Sequence, residues 1–287
     1  MNNILVVADL DEQSDVAIKQ ALLLAATYKT SIHIVQFVYE KLRTNGSEAQ
    51  ALKNQVVEKL TEKLAKQLEK SIGDKATYSF EVVWQKAIHR WIEDYAEINS
   101  PRLVIKTGHR SETAFYTPTD WHLIRECNAP VLIAAETKWR KSPNVLAAVD
   151  LETKNKEKIA LNHKVLQQAK ILADSLDVEL YVCYAPSVSK LLRDLGIHYL
   201  DDVEHDAKKA TAPLIDELAE QYQIPRKHFK VHAGNPDKVI PSLAAKYNAG
   251  VVVIGTVGRT GVKGKLIGNT AEKIMSLLKT DLLAIKP

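Results

Sequence analysis

Residues Ile4–Asp11 read ILVVADLD and residues Val145–Glu152 read VLAAVDLE. Each is a short apolar run closed by Asp-Leu-acid, and the second stands about half the chain beyond the first. A helical pattern follows each run, over 15–28 and 158–176, and leads into a second apolar run, over 32–38 and 178–184. A long charged helix comes next in both halves, 48–72 and 201–222. In the first of these, Leu52, Val56, Leu60, Leu64 and Leu68 recur every four residues and predict one apolar stripe. Third strands at 78–84 and 229–233, short helices at 87–98 and 237–247, fourth strands at 103–107 and 251–255, and fifth strands at 131–135 and 282–285 complete the parallel.

Strands alternating with helices of this length imply parallel strands joined by right-handed crossovers. The uninterrupted apolar run Val251–Ile254 is what a strand buried on both faces requires. The fold class read from this order is α/β, with two tandem Rossmann-like, doubly wound domains, each built on a five-stranded parallel sheet. The polar stretch Thr137–Asn144 (TKWRKSPN), with Pro143 just ahead of the second first strand, places the boundary. The expected domains are 1–141 and 142–287.

Composition narrows the class. The chain has 287 residues, enough for two domains at roughly 100–200 residues each. It is 46% hydrophobic and 26% charged, as ordinary globular proteins are. Cys127 and Cys183 sit in apolar stretches, which predicts buried structural thiols and fits a reducing, cytoplasmic setting. The first residues carry no basic segment ahead of an apolar one, and no window approaches 18 uncharged apolar residues, so neither a signal peptide nor a membrane span is expected. The net charge of +4 is spread along helices with acids between the bases, as in Glu58-Lys59 and Glu62-Lys63, which reads as a solvated surface and not a nucleic-acid patch.

In open parallel sheets, ligands bind beyond the carboxyl ends of the strands where strand order reverses. After its fourth strand the second half reads Gly255-Thr-Val-Gly258-Arg259-Thr260-Gly261-Val-Lys263-Gly264-Lys265-Leu-Ile-Gly268-Asn269-Thr270. Gly255 is read as letting the chain turn at the strand end. Gly258, Gly261 and Gly264 would let backbone N–H groups approach a phosphate. Gly268, Asn269 and Thr270 are placed at the start of the last helix, where free N–H groups and the helix dipole favour an anion. Arg259, Lys263 and Lys265 add positive charge. The stretch is neither a Walker A loop nor the dinucleotide fingerprint. A glycine-rich loop without a ligand is the alternative.

With these residues in hand, the chain resembles the universal stress protein family in its tandem two-domain form. The βαβ order and the Gly-x2-Gly-x9-Gly spacing match its ATP-binding members. GTVGRTG, GNTAE and, in the first half, YTPTDWHLIRECNAPV (Tyr116–Val131) carry the likeness most specifically. The resemblance implies an adenine-nucleotide α-hydrolase-like fold, with a triphosphate over Gly255, Gly258 and Gly268 and an aspartate closing the first strand, here Asp150, on the nucleoside. The family's hydroxyl residue after the third glycine is replaced by Asn269, whose amide can still donate, with Thr270 next. The nucleotide-binding set is therefore Asp150, Gly255, Gly258, Arg259, Gly268, Asn269 and Thr270. Aligned on the fourth strand, the first half carries Lys106 for Gly255, His109 for Gly258 and Pro118 for Gly268. Asp9 is kept, but the cradle is lost, and no nucleotide is expected there in the family's manner.

Other clusters have simpler readings. His198, Asp201, Asp202 and His205 have metal-ligand spacing but read as an acidic helix start, so no metal is expected. Thr119-Asp120 reads as a helix cap rather than as a catalytic pair with His109 and His122. Trp84, Trp91 and Trp121 read as core or domain-interface residues.

The function expected is a cytoplasmic stress-response protein that binds ATP, with Mg, or a related nucleotide in its second domain and acts as a non-catalytic sensor or scaffold. No cofactor is required and no catalytic residue is expected. The alternatives are a nucleotide-independent binder of a hydrophobic ligand or protein partner, and a slow ATPase. An unidentified protein partner is expected, with no nucleic acid and no membrane. Single-domain members pair through their last strands, which implies an intramolecular pseudo-dimer, with a homodimer of the whole chain as the alternative.

Overall fold

The computed structural model describes residues 3–10, 15–108, 118–135, 143–188, 200–256, 274 and 277–287. They fall into two compact units, 3–135 and 143–287.

The first unit runs β1 (Ile4–Ala8), α1 (Val16–Tyr28), β2 (Ile32–Val38), α2 (Gly46–Ser71), β3 (Tyr78–Trp84), α3 (Ile88–Asn99), β4 (Leu103–Gly108), α4 (Pro118–Glu126) and β5 (Val131–Ala135). Its strands lie in the order β3-β2-β1-β4-β5, and every pair is parallel. The order reverses between β1 and β4. Both strands are buried along their length, which explains the apolar runs Ile4–Ala8 and Leu103–Ile105.

The second unit runs β6 (Asn144–Ala148), α5 (Lys156–Leu176), β7 (Leu180–Tyr184), α6 (Leu200–Tyr222), β8 (Phe229–Val231), α7 (Pro236–Lys246), β9 (Ala249–Gly255) and β10 (Asp281–Ile285). Its order is β10-β9-β6-β7-β8, again all parallel, with the reversal between β6 and β9. Each unit contributes five parallel strands, as the sequence order implies. No helix among the described residues is long and apolar enough to cross a membrane.

Helix ends follow local chemistry. The Asn155 side chain accepts the N–H of Lys158 and caps α5. Lys29, Ser100 and Asp177 close α1, α3 and α5 in the left-handed conformation, each with its N–H returned to a carbonyl of the last turn. The α2 stripe differs from expectation. Leu64 and Leu68 are buried, whereas Leu52 is 39% exposed. A four-residue repeat gains about 40° per step on a helix of 3.6 residues per turn, so the stripe winds away from the sheet towards its N-terminal end.

Several side chains lie elsewhere than expected. Asp120 does not cap α4; it is fully buried in the helix's first turn, with Oδ1 2.9 Å from Lys106 Nζ. Trp84, Trp91 and Trp121, read as core or domain-interface residues, are half-buried. Trp91 stacks on Tyr95 and meets Phe37 edge-on, and Trp84 lies under Lys53. Asp201, Asp202 and His205 are exposed, and no group of three or more metal-ligating side chains occurs among the described residues; His198 and His109 lie outside them. Cys127 and Cys183 are free and buried, as read from the sequence.

His89 and His122 stack with ring centroids 4.1 Å apart, joining α3 to α4. Burial, the neighbouring His122 and Arg90 together push the His89 pKa below its ordinary value. The fold therefore favours neutral His89. Its stabilising effect is complete above the unfolded pKa of about 6.5 and declines as pH falls through the lower folded value. A proton NMR titration is expected to show His89 titrating below the ordinary histidine value of about 6.5, and His89→Asn should flatten the fall in stability just below that pH.

Candidate functional site

The reversal between β6 and β9 opens a cavity of about 510 Å³ at the carboxyl ends of β6, β7 and β9. That volume lies in the usual range for small-molecule sites, about 300–1,000 Å³. Asp150 and Gly255, which the sequence places far apart, both line it. Gly258, Arg259, Gly268, Asn269 and Thr270 lie outside the described residues.

Asp150 stands two residues past β6, and α5 fixes its backbone. The Asn162 side chain accepts the Asp150 N–H at 3.2 Å and donates to the Asp150 carbonyl at 2.7 Å. This two-way clamp sets the aspartate's position at the cavity mouth and leaves its carboxylate half exposed. Lys158, in the first turn of α5, holds its Nζ 3.9 Å from Asp150 Oδ2. Lys158, Leu161 and Asn162 follow the three- and four-residue spacing of one helix face. None was found from sequence, because nothing there shows that this face meets the end of β6.

Gly255 ends its strand, as expected, and its surroundings give a further reason for a glycine there. It is the last residue of β9, and an ideal Cβ built on it would lie 2.7 Å from both Cγ and Cδ2 of Leu161. The glycine is required where α5 crosses the strand. The next residue, Thr256, is buried and donates both its N–H and its hydroxyl to the Ile285 carbonyl, at 2.9 and 3.2 Å. The chain is thus pinned to β10 at the point where the glycine-rich stretch leaves the sheet.

The far wall comes from the end of β7 and the start of α7. Cys183 is wholly buried, and its thiol pKa is pushed up to about 12 by that burial, so it is not a nucleophile. Tyr184 donates its hydroxyl to Glu152. Burial first, then this bond and the charges of Glu152 and Asp150, raise the Tyr184 pKa. Leu161, Ile240 and Ile254 supply apolar surface. The cavity therefore offers an apolar wall, a half-exposed carboxylate and one lysine near the start of the glycine stretch.

Among the described residues, the first unit differs at the corresponding position. Asp9 follows β1 as Asp150 follows β6, and its carbonyl accepts from Gln36 Nε2 at 2.8 Å. Strand register corrects the sequence alignment by one residue. Val7 pairs with Lys106, and Ala148, its counterpart two residues before the aspartate, pairs with Ile254. Thr107, not Lys106, stands at the level of Gly255. Thr107 is fully buried. Lys106 is 7% exposed, donates to the Thr107 carbonyl at 2.7 Å and pairs with Asp120. Helix α1 has 13 residues against 21 in α5, and the additional turns of α5 at its N-terminal end are the ones that bring Lys158, Leu161 and Asn162 to the site.

The sequence matches the model of the Universal stress protein family over residues 1–135 and 144–286. The chain belongs to that family, as two tandem copies of its domain. It is 31% identical to universal stress protein E of Salmonella typhi, over 99% of this chain and 94% of that one. It is 28% identical to the universal stress protein E homolog of Haemophilus influenzae, over 99% and 97%. A solved protein of unknown function from Pseudomonas aeruginosa PAO1 superposes with a TM-score of 0.76 at 26% identity, covering 100% of this chain and 93% of that one. A universal stress protein from Archaeoglobus fulgidus DSM 4304 has the same fold, with a TM-score of 0.69 at 15% identity over 99% and 98%.

Proposed function

We propose that residues 143–287 bind ATP or a related adenine nucleotide, and that the chain is a cytoplasmic, non-catalytic sensor or scaffold whose partner contacts change with occupancy. The observation carrying this reading is the cavity that joins Asp150 to Gly255 at the strand-order reversal. The apolar wall suits a base, Asp150 suits the hydroxyl or amino groups of a nucleoside, and the glycine-rich stretch beginning at Gly255 suits phosphates. Magnesium would accompany the triphosphate. For a sensor, the nucleotide must favour one conformation over another.

Isothermal titration of the full chain with ATP and magnesium tests the proposal. Saturable heat and a thermal shift at millimolar ATP are expected; their absence sinks it. Asp150→Asn is expected to weaken binding by about tenfold, the loss of one charge-assisted hydrogen bond. No turnover is proposed, because hydrolysis needs a group that orients water and a metal ligand by the γ-phosphate. Phosphate release that persists unchanged in Gly258→Asp would be a contaminant's.

The apolar share of the lining favours a second reading, in which the cavity holds a small hydrophobic molecule. Native mass spectrometry of gently purified chain separates the two by the mass of what is released.

A further inference from the structure

We propose that the first unit carries a second ligand site, at the amino ends of its strands, that takes a small phosphorylated molecule bearing two or more negative charges. A cavity of about 620 Å³ opens there, opposite the end at which nucleotide is proposed to bind in the second unit. It is formed by the α1–β2 connection, the approach to β3 and the residue ahead of β4. Lys29, Lys75 and Arg102 line it together with the hydroxyl residues Thr30, Ser31 and Thr77, and no carboxylate does.

The three cations are set by different parts of the fold. Arg102 lies over the Tyr28 ring, 4.3 Å from its centroid, and its backbone N–H is held by the Asn3 carbonyl at 2.8 Å. The guanidinium is thereby held on an aromatic face, and its N–H edge meets no carboxylate among the described residues. Lys75 donates to the Ser71 carbonyl at 3.1 Å, leaving two of its three N–H groups. Lys29 takes the left-handed conformation that closes α1. Elsewhere on this chain lysines pair with acids four residues away, as in Lys19–Asp15, Lys170–Asp174 and Lys208–Glu204. Among the described residues, these three have no such partner.

Helix dipoles do not account for the cluster. The C-termini of α1 and α2 each present about half a negative charge, so together they offset about one of the three positive charges. Roughly two remain, which matches a phosphate monoester or a pyrophosphate group. Nor does the fold require basic residues here. In the second unit Asp177 stands at the left-handed cap that Lys29 occupies. Glu179 there precedes Leu180, which pairs with Val145 as Ile32, the residue after Ser31, pairs with Ile4. One copy of the plan carries acids where the other carries bases and hydroxyls. Ala25, Ala26 and Ala76 give the cavity an apolar part, so the ligand class is an organic phosphate.

The test is amide NMR on the full chain at low salt, titrated separately with pyrophosphate and with glycerol 3-phosphate. Saturable shifts at Thr30, Ser31, Ala76 and Thr77 are expected, stronger with the organic phosphate if the alanines contribute. The triple variant Lys29→Gln, Lys75→Gln, Arg102→Gln should weaken binding at least about tenfold, the loss of charge-assisted hydrogen bonds. Ser31→Glu keeps all three cations but installs the acid that the second unit tolerates at this level, and it should abolish the shifts in a folded chain. ATP-induced shifts at Asp150 and Thr256 should survive both changes, which separates this site from the nucleotide cavity. Non-saturating shifts, or shifts unchanged in Ser31→Glu, would overturn the proposal.

Discussion

Replacing Lys106 by Met is expected to destabilise the first unit by about 3–5 kcal/mol, the usual cost of removing one partner from a buried ion pair. The expectation rests on burial. Asp120 is fully buried and Lys106 is 7% exposed, so Lys106→Met takes a cation away from a carboxylate that is out of reach of water. Lys106 Nζ also donates to the Thr107 carbonyl at 2.7 Å, and that acceptor loses its donor. The side-chain stem is retained in Met, so packing loss is small and the effect is electrostatic. Tryptophan fluorescence in urea, read in a Trp139→Phe background, reports the outcome selectively, because the other three of the four tryptophans, Trp84, Trp91 and Trp121, all lie in the first unit. The midpoint of that transition should fall sharply. Adding Asp120→Leu should recover most of the loss, since replacing both partners by apolar groups is often neutral. A single variant as stable as the parent would mean that Asp120 is satisfied without Lys106. A double variant no better than the single would mean that the loss comes from packing.

The pair also explains what became of the first copy. A fold needs a core at the end of β4, and a phosphate cradle is one solution among several. Here the strand ends in a buried lysine held by the following helix, with Thr107 at the glycine level. That arrangement fixes β4 to α4 without a ligand. The second copy has Ile254 and Gly255 at the same two levels and an open cavity in front of them. The two copies therefore differ at the same topological position, with a buried Lys106–Asp120 contact in one and an open cavity in the other.

The strands were legible in the sequence, β5 because burial on both faces writes a continuous apolar run and the edge strand β3 because it alternates, and β2, β3 and β5 fall on the residues expected. Helix ends were off by a residue or two, since fraying and capping depend on neighbours in space. The site was legible only in part. Asp150 and Gly255 stand out because strand ends and glycines are visible in one dimension. Asn162 does not, because an asparagine inside a helix looks like any solvated residue until its carboxamide is seen on the Asp150 backbone. Lys106 was set one position off because aligning the fourth strands by sequence leaves a one-residue ambiguity that only strand register resolves. The pairing of Lys106 with Asp120 crosses from a strand to the next helix, and no periodicity encodes it.

Gly255→Ala is expected to cost about 1–3 kcal/mol in the second unit, the usual penalty of overpacking. The added methyl would lie 2.7 Å from two carbons of Leu161, a side chain only 4% exposed and wedged between α5 and β9. Either α5 moves outward or Leu161 leaves its rotamer. Outward movement would carry Asn162 with it, loosen the clamp on Asp150, and weaken nucleotide binding at a distance from the phosphates. The companion variant decides which role the glycine has. Leu161→Ala alone should cost about 2–5 kcal/mol as a cavity. In the double variant the new methyl occupies part of that cavity, so the two losses should not add, and the shortfall measures the contact directly. Thermal unfolding of the four proteins gives the stability cycle, and ATP titration of the same four gives the binding cycle. If Gly255 matters through packing on Leu161, binding should recover with stability in the double variant. If a phosphate must approach the Gly255 backbone closely, stability should recover and binding should not.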